Sequence, residues 1–96
     1  MGLAICYDLC YPQMYAAYRE KGVELMLHFF YNARSLSPNC LDVLNTRQVP
    51  TRCADNTMWA VANNSLNPYS KWASFVARPD ATIARQLPKN CPGMLV

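Results

Sequence analysis

One cysteine stands where an α/β protein would place a nucleophile. Residues 2–7, GLAICY, form an apolar run typical of a buried strand, and Pro12 then suits the first turn of a helix. Cys6 lies at the end of that run, where α/β sheets bind ligands. Its thiol could attack an acyl or nitrile carbon if a neighbouring base or cation lowers its pKa. The alternative is a small buried cysteine that only fills the strand.

The other polar candidates favour structural roles. Cys10 lies in the turn after that thiol and has less geometric reason to react. His28 lies on a predicted strand without a partner motif, which favours a packed or hydrogen-bonded histidine over a catalyst. Asp8 is expected to orient backbone or arginine groups near the thiol rather than to act as a base. Arg52 and Asp55 predict an ion pair of modest strength.

The cysteine pattern predicts neither a metal centre nor a disulfide framework. The chain has a single histidine and five irregularly spaced cysteines: Cys6, Cys10, Cys40, Cys53 and Cys91. It contains no CxxC motif, so a zinc site is not expected. We expect reduced thiols and a cytoplasmic location, and we predict no cofactor.

The elements around Cys6 predict a strand–helix–strand unit. After Pro12, apolar side chains follow at helical spacing, namely Tyr11, Met14, Tyr15 and Tyr18. Core packing or a subunit contact is the simplest role for this stripe, and a pocket wall is the alternative. Gly22 suits the position just after a helix. Residues 23–30 predict a second strand, apolar enough to be buried on both faces, so the pair should be parallel with a right-handed crossover.

A loop and a second helix are predicted next. Residues 32–39 are expected to form the loop, in which Ser37 and Pro38 suit the N-cap and the first helical position. Residues 40–56 predict the helix. Pro50 within it should kink or break the helix, because proline lacks the backbone N–H and clashes with the preceding turn.

The rest of the chain predicts strands. Residues 58–62 indicate a third strand, which ends in a polar loop over residues 63–70. Residues 72–78 and 82–87 flank Pro79-Asp80-Ala81, a sequence typical of a hairpin turn. The elements together predict the α/β class.

Composition and charge exclude several kinds of protein. The chain has 96 residues, of which 52% are hydrophobic and 16% charged, so it is not a disordered segment. That length allows one compact domain or a piece of a larger one. The net charge is only +3 and the nine basic residues are scattered, which argues against nucleic acid as a partner. No apolar stretch approaches the ~20 residues of a membrane span, and no signal-peptide pattern is present, so no membrane partner is expected.

The segment around Cys6 resembles the nucleophile motif of the nitrilase (carbon–nitrogen hydrolase) superfamily. In that motif the catalytic cysteine ends a strand and is followed by an aromatic, an acid and an aromatic–proline pair. Residues 2–8, GLAICYD, followed by Tyr11-Pro12, have this pattern. Residues 22–27, GVELML, are similar to the next strand of the family.

Later segments continue the resemblance in the same order. Residues 52–56, RCADN, resemble the R-A-x-E-N helix end of the family, and residues 59–63, WAVAN, resemble the strand that follows. Residues 74–80, SFVARPD, resemble its S-x-I-V-x-P-D-G segment. Among the departures, Ala81 stands where the turn glycine is usual. Phe29-Phe30 replace small or proline residues, which indicates a narrower substrate pocket.

The resemblance implies part of an α-β-β-α sandwich that hydrolyses a non-peptide carbon–nitrogen bond through a cysteine thioester. It implies Cys6 as the nucleophile and the backbone N–H of Tyr7 as an oxyanion donor. A family glutamate acts as general base, and a family lysine helps to stabilise the oxyanion. The implied substrate is a small amide, nitrile or N-carbamoyl compound, and the full-length protein is expected to form a homo-oligomer.

The catalytic glutamate and lysine of the family precede its cysteine, whereas only five residues precede Cys6 here. Glu20, Lys21 and Glu24 follow on the predicted helix and second strand and cannot take those roles. We therefore expect residues 1–96 to be the C-terminal part of a carbon–nitrogen hydrolase domain, cut at both ends and inactive alone. The alternative is a non-catalytic truncated or degenerate fragment that acts, if at all, as an interaction domain.

Overall fold

The computed structural model describes residues 1–33, 37–66 and 70–96. Two 3-10 turns, Cys6–Cys10 and Cys40–Asp42, accompany the strands and helices, which are β1 (Gly2–Ile5), α1 (Pro12–Glu20), β2 (Leu25–Phe29), α2 (Leu44–Asn56), β3 (Trp59–Asn63), β4 (Phe75–Ala77) and β5 (Ile83–Gln86). In this described part of the chain, no helix is long and apolar enough to cross a membrane.

The strands form a five-stranded sheet in the order β1-β2-β3-β4-β5. β1, β2 and β3 run parallel and are joined by α1 and α2, which confirms the predicted strand–helix–strand unit. β4 and β5 continue the sheet as an antiparallel hairpin, also as predicted. Ala81 in the hairpin turn has φ +68°, a conformation that glycine adopts more readily. Because parallel strands end at the same side of a sheet, the residues after β1, β2 and β3 share one edge, here called the carboxyl edge.

One face of the sheet packs against both helices and forms the core. Its buried side chains are Ala4, Met26, His28, Ala60, Ala62, Phe75 and Ala77. Tyr15 of α1 and Val49 and Cys53 of α2 are fully buried against them. The alanines on β1, β3 and β4 leave room for these larger helix side chains, so sheet and helices pack closely.

The opposite face of the sheet is apolar and exposed. Leu3 and Ile5 of β1 are 54% and 61% exposed, and Phe29 of β2 and Trp59 of β3 are 42% and 41% exposed. The expectation that the first strand is buried, and that the second is buried on both faces, is therefore wrong for this face. The physical reason is that α1 and α2 both lie on the other side of the sheet.

The predicted stripe on α1 serves the core. Tyr15 is completely buried, and Met14 and Tyr18 pack against the core with part of their surface exposed. Tyr11, at the start of the helix, is 49% exposed. Gly22 follows the helix with φ +79°, and its N–H donates to the Arg19 carbonyl, as expected of a helix-terminating glycine.

The second helix departs from its predicted form. α2 begins at Leu44, after a break at Val43 (φ −127°, ψ −22°), and so not at Pro38 or Cys40. The sequence predicted a kink or a break at Pro50; α2 continues through Pro50 to Asn56, so the helix does not break there. A proline removes one helical hydrogen bond, and packing of the buried side chains Val49, Pro50 and Cys53 offsets that loss. The predicted loops over residues 32–39 and 63–70 each include residues outside the described part.

The end of α2 gives a first testable prediction. Thr57 has φ +52° and ψ +52°, and its N–H donates to the Ala54 carbonyl. A left-handed conformation is unfavourable for a β-branched residue, so Thr57→Gly is expected to raise the free energy of unfolding by about 1 kcal/mol. Urea unfolding measures the change. Thr51→Gly, inside α2, is the matched control and should lower stability by roughly 0.3–0.5 kcal/mol, because glycine is a poorer helix former than threonine. Equal losses in both variants would contradict the left-handed geometry at Thr57.

Candidate active site

Cys6 lies at a sharp turn between β1 and the 3-10 turn that follows. Its φ is +46°, a left-handed conformation that is uncommon for a residue with a side chain. Strained turns from a strand into a helix are used to present nucleophiles above a sheet, because they push one side chain out of the strand direction. The Cys6 side chain is half-buried and packs against the core. The predicted position at the strand end is therefore confirmed.

Asp8 stabilises this turn from the inside. Its Oδ2 accepts a hydrogen bond from the Ile5 backbone N–H at 2.8 Å, and its carbonyl accepts one from the Tyr11 N–H at 3.1 Å. The carboxylate thus holds the residue just before Cys6, as the sequence predicted for a backbone-orienting aspartate. An anion at this position also interacts favourably with the N–H groups that begin the turn.

His28 contacts the same turn from β2. The imidazole is completely buried, with Nε2 at 3.2 Å from the Cys6 carbonyl oxygen and Nδ1 at 2.9 Å from the Tyr15 hydroxyl. A carbonyl oxygen only accepts, so Nε2 carries the proton, and Nδ1 of a neutral ring accepts from the tyrosine. Burial lowers the pKa of His28 against the opposing effects of the Cys6 carbonyl and the Asp8 charge, and burial raises the pKa of Tyr15. Both groups are therefore neutral at pH 7.

The hydrogen-bonded histidine was predicted, but its partner was not. Cys6 and His28 are 22 residues apart, so no local pattern links them. Strand register does link them, because Ala4 lies opposite His28 and Cys6 follows two residues later on the same edge. Placing the two predicted strands in register would have found this contact.

Tyr7 follows Cys6 in the first turn of the 3-10 segment. The first N–H groups of a helical turn have no partner within that turn, and the Tyr7 N–H is one of them. The Tyr7 side chain is 69% exposed, and its ring contacts Tyr11 edge to face. The structure thus brings together the Cys6 side chain and the Tyr7 N–H, the two site groups predicted from the sequence.

The remaining cysteines have different environments. Cys53 is completely buried, and burial raises its pKa to about 12, which makes it unreactive as a thiolate. Cys10, Cys40 and Cys91 are exposed. No cysteine forms a disulfide. Among residues 1–33, 37–66 and 70–96, no group of three histidine, cysteine or acidic side chains could hold a metal ion.

Glu20, Lys21 and Glu24 lie at the edge of the sheet opposite to Cys6. Glu20 ends α1 and Glu24 precedes β2, whereas Cys6 follows β1, which is parallel to β2. At roughly 3.3 Å per residue, a four-residue strand separates the two edges by about 13 Å. These side chains therefore cannot act on the Cys6 thiol, which agrees with the prediction from their order in the sequence.

Lys71, near the carboxyl edge, is committed to a structural contact. Its Nζ is 3.1 Å from Asp42 Oδ1 and donates to the Ser37 carbonyl at 2.6 Å, and its side chain is 5% exposed. Its backbone N–H donates to the Asn32 carbonyl at 2.8 Å. The Asn39 N–H and then Lys71 hold the pKa of Asp42 below its usual range. The ion pair ties the chain after β2 to the segment before β4. Likewise, Arg52 and Asp55 form the predicted ion pair at 3.7 Å.

Asn64 connects three segments at the carboxyl edge, a role that the sequence did not indicate. Its Oδ1 accepts from the N–H groups of Asn32 and Ser65, both at 2.9 Å. Its Nδ2 donates to the carbonyls of Trp72, at 2.9 Å, and Asn32, at 3.2 Å. A cavity of about 270 Å³ lies beside it and is lined in part by Asn63, Trp72, Ser74 and Asn90. The cavity lies at the end of β3 and Cys6 at the end of β1. Because these strands are two strand spacings apart, roughly 10 Å separates the near side of the cavity from Cys6.

Three solved structures have the same fold as this chain. Nit3 from Saccharomyces cerevisiae, a member of branch 10 of the nitrilase superfamily, matches with a TM-score of 0.72 and 19% identity, over 92% of this chain and 33% of its own. An amidase from Nesterenkonia sp. matches with a TM-score of 0.75 and 23% identity, over 95% and 34%. A variant of the amidase from Nesterenkonia sp. AN1, which carries the acetamide moiety of fluoroacetamide covalently at its active site cysteine, matches with 0.72 and 22%, over 88% and 32%.

These comparisons establish the fold. The chain has the mixed α/β fold of nitrilase-superfamily structures, as the resemblance implied, and it spans about a third of their length. No family model matches the sequence. No curated protein sequence matches it either.

Proposed function

We propose that this chain is part of a carbon–nitrogen hydrolase of the nitrilase superfamily, with Cys6 as its nucleophile. In the proposed reaction the Cys6 thiolate attacks the carbonyl or nitrile carbon of a small amide, nitrile or N-carbamoyl compound. The backbone N–H of Tyr7 stabilises the charge that develops on the carbonyl oxygen. A thioester forms as the amine leaves, and water then hydrolyses it.

The observation that carries this proposal is the turn at Cys6. A half-buried thiol stands on a left-handed residue at the carboxyl edge, with a helical N–H beside it. In the proposed site this turn supplies both a sulfur nucleophile and an oxyanion donor for one substrate carbonyl, as acyl transfer requires. A purely structural cysteine would need no such conformation.

We further propose that residues 1–96 are the C-terminal portion of the catalytic domain. The match covers about a third of the amidase, which supports a portion of a domain, and the resemblance of residues 2–8 to the nucleophile motif supports the C-terminal portion. No glutamate or lysine precedes Cys6 in the sequence, so we expect the isolated chain to accept an acyl group without turning over an amide. We propose a cytoplasmic location, supported by five unpaired cysteines, and a homo-oligomer for the full-length protein.

Acylation by an activated ester tests the nucleophile without requiring the missing base. The parent chain carries Cys10→Ser, Cys40→Ser and Cys91→Ser, which removes the exposed thiols and leaves Cys6 and the buried Cys53. After exposure to p-nitrophenyl acetate, peptide mass spectrometry should find a hydroxylamine-labile acetyl group on Cys6 and none on Cys53. Cys6→Ala should carry no such group.

The unfolded chain is the control for intrinsic thiol reactivity. In the folded chain, Cys6 should be acylated faster than in the same chain in urea, because only the fold supplies the oxyanion donor. An acylation rate that is the same in both states would refute the proposed role of the turn. Neither the folded chain nor the chain in urea should hydrolyse acetamide.

A non-catalytic role as an interaction domain is the second candidate, and the exposed apolar face of the sheet favours it. Leu3 and Ile5 on the edge strand β1 would form a contact with a second copy of the chain. Sedimentation should then detect a dimer that Leu3→Lys with Ile5→Lys converts to a monomer. A dimer together with an unreactive Cys6 would favour this candidate over the hydrolase.

A further inference from the structure

The peptide unit between Cys6 and Tyr7 joins the buried core to the proposed oxyanion donor. This unit contains the Cys6 carbonyl, which contacts His28 Nε2 at 3.2 Å, and the Tyr7 N–H. The unit is trans and planar, so its C=O and N–H point in opposite directions. A group that fixes the carbonyl therefore also fixes the direction of the Tyr7 N–H.

His28 is held firmly enough to do this. The ring is completely buried on β2, which lies between β1 and β3. It stacks on Phe30 with ring centroids 4.2 Å apart and planes at 15°, and the Tyr15 hydroxyl donates to its Nδ1 at 2.9 Å. The Cys6 carbonyl, which only accepts, requires the tautomer with the proton on Nε2, and the Tyr15 hydroxyl, which can donate, is compatible with the unprotonated Nδ1 of that tautomer.

The conformation at Cys6 needs such support. A left-handed φ of +46° is unfavourable for cysteine by about 1 kcal/mol, so the turn would relax without constraints on both sides. Asp8 holds the Ile5 N–H on the side before Cys6, and His28 holds the carbonyl on the side after it. The Asp8 contact fixes the Ala4–Ile5 peptide unit, one residue before the thiol, and the His28 contact fixes the Cys6–Tyr7 unit that directly follows it.

We propose that His28 is a positioning residue which aims the Tyr7 N–H at the oxyanion through its hydrogen bond to the Cys6 carbonyl. A hydrogen bond to the oxygen of a peptide unit also polarises its N–H, which makes Tyr7 a stronger donor. This inference rests on the proposed function of Cys6 and adds a residue that touches neither substrate nor the reacting sulfur. The line of contacts runs from the Tyr15 hydroxyl through His28 to the Cys6–Tyr7 peptide.

Two reagents separate this role from general reactivity of the thiol. With p-nitrophenyl acetate the thiol loses its proton to solvent, sulfur bonds to the acetyl carbon, and p-nitrophenolate leaves after an oxyanion has formed. With iodoacetamide the sulfur displaces iodide and no oxyanion forms. In the parent chain with three exposed cysteines replaced by serine, His28→Leu should slow acylation of Cys6 roughly tenfold, a smaller loss than that of deleting a donor outright. Alkylation should change less than twofold.

Conservative variants distinguish the hydrogen bond from packing. His28→Gln keeps an N–H donor at a similar reach and should recover most of the acylation rate. Tyr15→Phe keeps the ring but releases Nδ1, so it should slow acylation to an intermediate extent. Met26→Leu, a buried change on the same strand and face, should leave the ratio of acylation to alkylation unchanged. Equal slowing of both reactions in His28→Leu would overturn the proposal.

Nitrogen NMR tests the same contact without chemistry at the thiol. The chain has one histidine, so a ¹⁵N-histidine sample gives the signals of His28 alone. We expect Nε2 to be protonated and Nδ1 to be unprotonated at pH 7, and the Tyr7 amide shift to change more in His28→Leu than in Met26→Leu. A proton on Nδ1, or equal shifts in the two variants, would overturn the proposal. An unreactive Cys6 in the parent chain would refute the proposed function and still leave this measurement to decide on His28.

Discussion

Asn64→Ala is expected to lower the free energy of unfolding by about 3–4 kcal/mol, because it removes the partner of the buried Asn32 N–H and of the buried Trp72 carbonyl, whereas the Asn32 carbonyl keeps the Lys71 N–H. The amide of Asn64 satisfies two N–H groups and two carbonyls, and Asn32 and Trp72, which supply three of them, are only 5% and 4% exposed. Each unsatisfied buried group costs about 1–3 kcal/mol, and water that enters the vacated space recovers part of the total. Urea unfolding followed by far-ultraviolet circular dichroism measures the loss.

Asn56→Ala is the matched control for this prediction. The Asn56 amide donates a single hydrogen bond, to the Arg52 carbonyl in its own helix, so its loss should cost about 1 kcal/mol or less. Asn64→Asp keeps the acceptor but replaces the two N–H donors by an anion facing two carbonyls, and it should destabilise nearly as much as alanine. If Asn64→Ala proves no more harmful than Asn56→Ala, the carboxyl edge does not depend on this amide.

The parts of the molecule that were predictable from sequence are those encoded locally. The apolar run that ends at Cys6, the proline that begins α1 and Gly22 after that helix lie within about twenty residues of one another. Each acts through backbone preferences of its own segment, so the residue types alone place the strand–turn–helix around the thiol. The candidate nucleophile belongs to this group.

The parts that were not predictable depend on contacts between distant segments. His28 reaches Cys6 only because two parallel strands are in register, and Asn64 reaches Asn32 only because two loops leave the same edge. The continuity of α2 through Pro50 depends on tertiary packing that outweighs local propensity. An apolar strand indicates burial without naming the element that covers it, which is why Leu3 and Ile5 were expected inside and lie on an exposed face.

These distant contacts hold the backbone at Cys6 in place while the thiol remains accessible. The thiol itself needs access to a substrate, so it cannot be fixed by burial alone. Its backbone is fixed instead, by a carboxylate on one side and a buried imidazole on the other. The chemistry at Cys6 should therefore be sensitive to the protonation state of a group that no substrate touches.

Acidification from pH 7.5 to 5.5 is expected to destabilise the chain through His28. Burial lowers the pKa of this imidazole in the folded state, while the Cys6 carbonyl and the Asp8 charge oppose the shift in part. The unfolded chain therefore binds more protons than the folded chain as the pH falls below the ordinary histidine value of about 6.5. The contribution of His28 to the free energy of unfolding is fully present above that value and is lost below it. The slope approaches 1.4 kcal/mol per pH unit, and the total loss reaches up to about 1.4 kcal/mol at pH 5.5.

The single histidine makes this prediction specific. His28 is the only histidine in the chain, and histidine is the side chain whose ordinary pKa lies between pH 5.5 and 7. Asp42 and Asp80 have lowered pKa values, and a carboxylate of that kind stabilises the fold above its unfolded pKa and loses that contribution only as the pH falls further. Urea unfolding at pH 7.5, 6.5 and 5.5 should give a declining stability for the chain and a flat one for His28→Gln. A decline of equal slope in both proteins would show that another group titrates. A decline that is absent from His28→Gln would show that protonation of His28, the ring that contacts the Cys6 carbonyl, destabilises the fold.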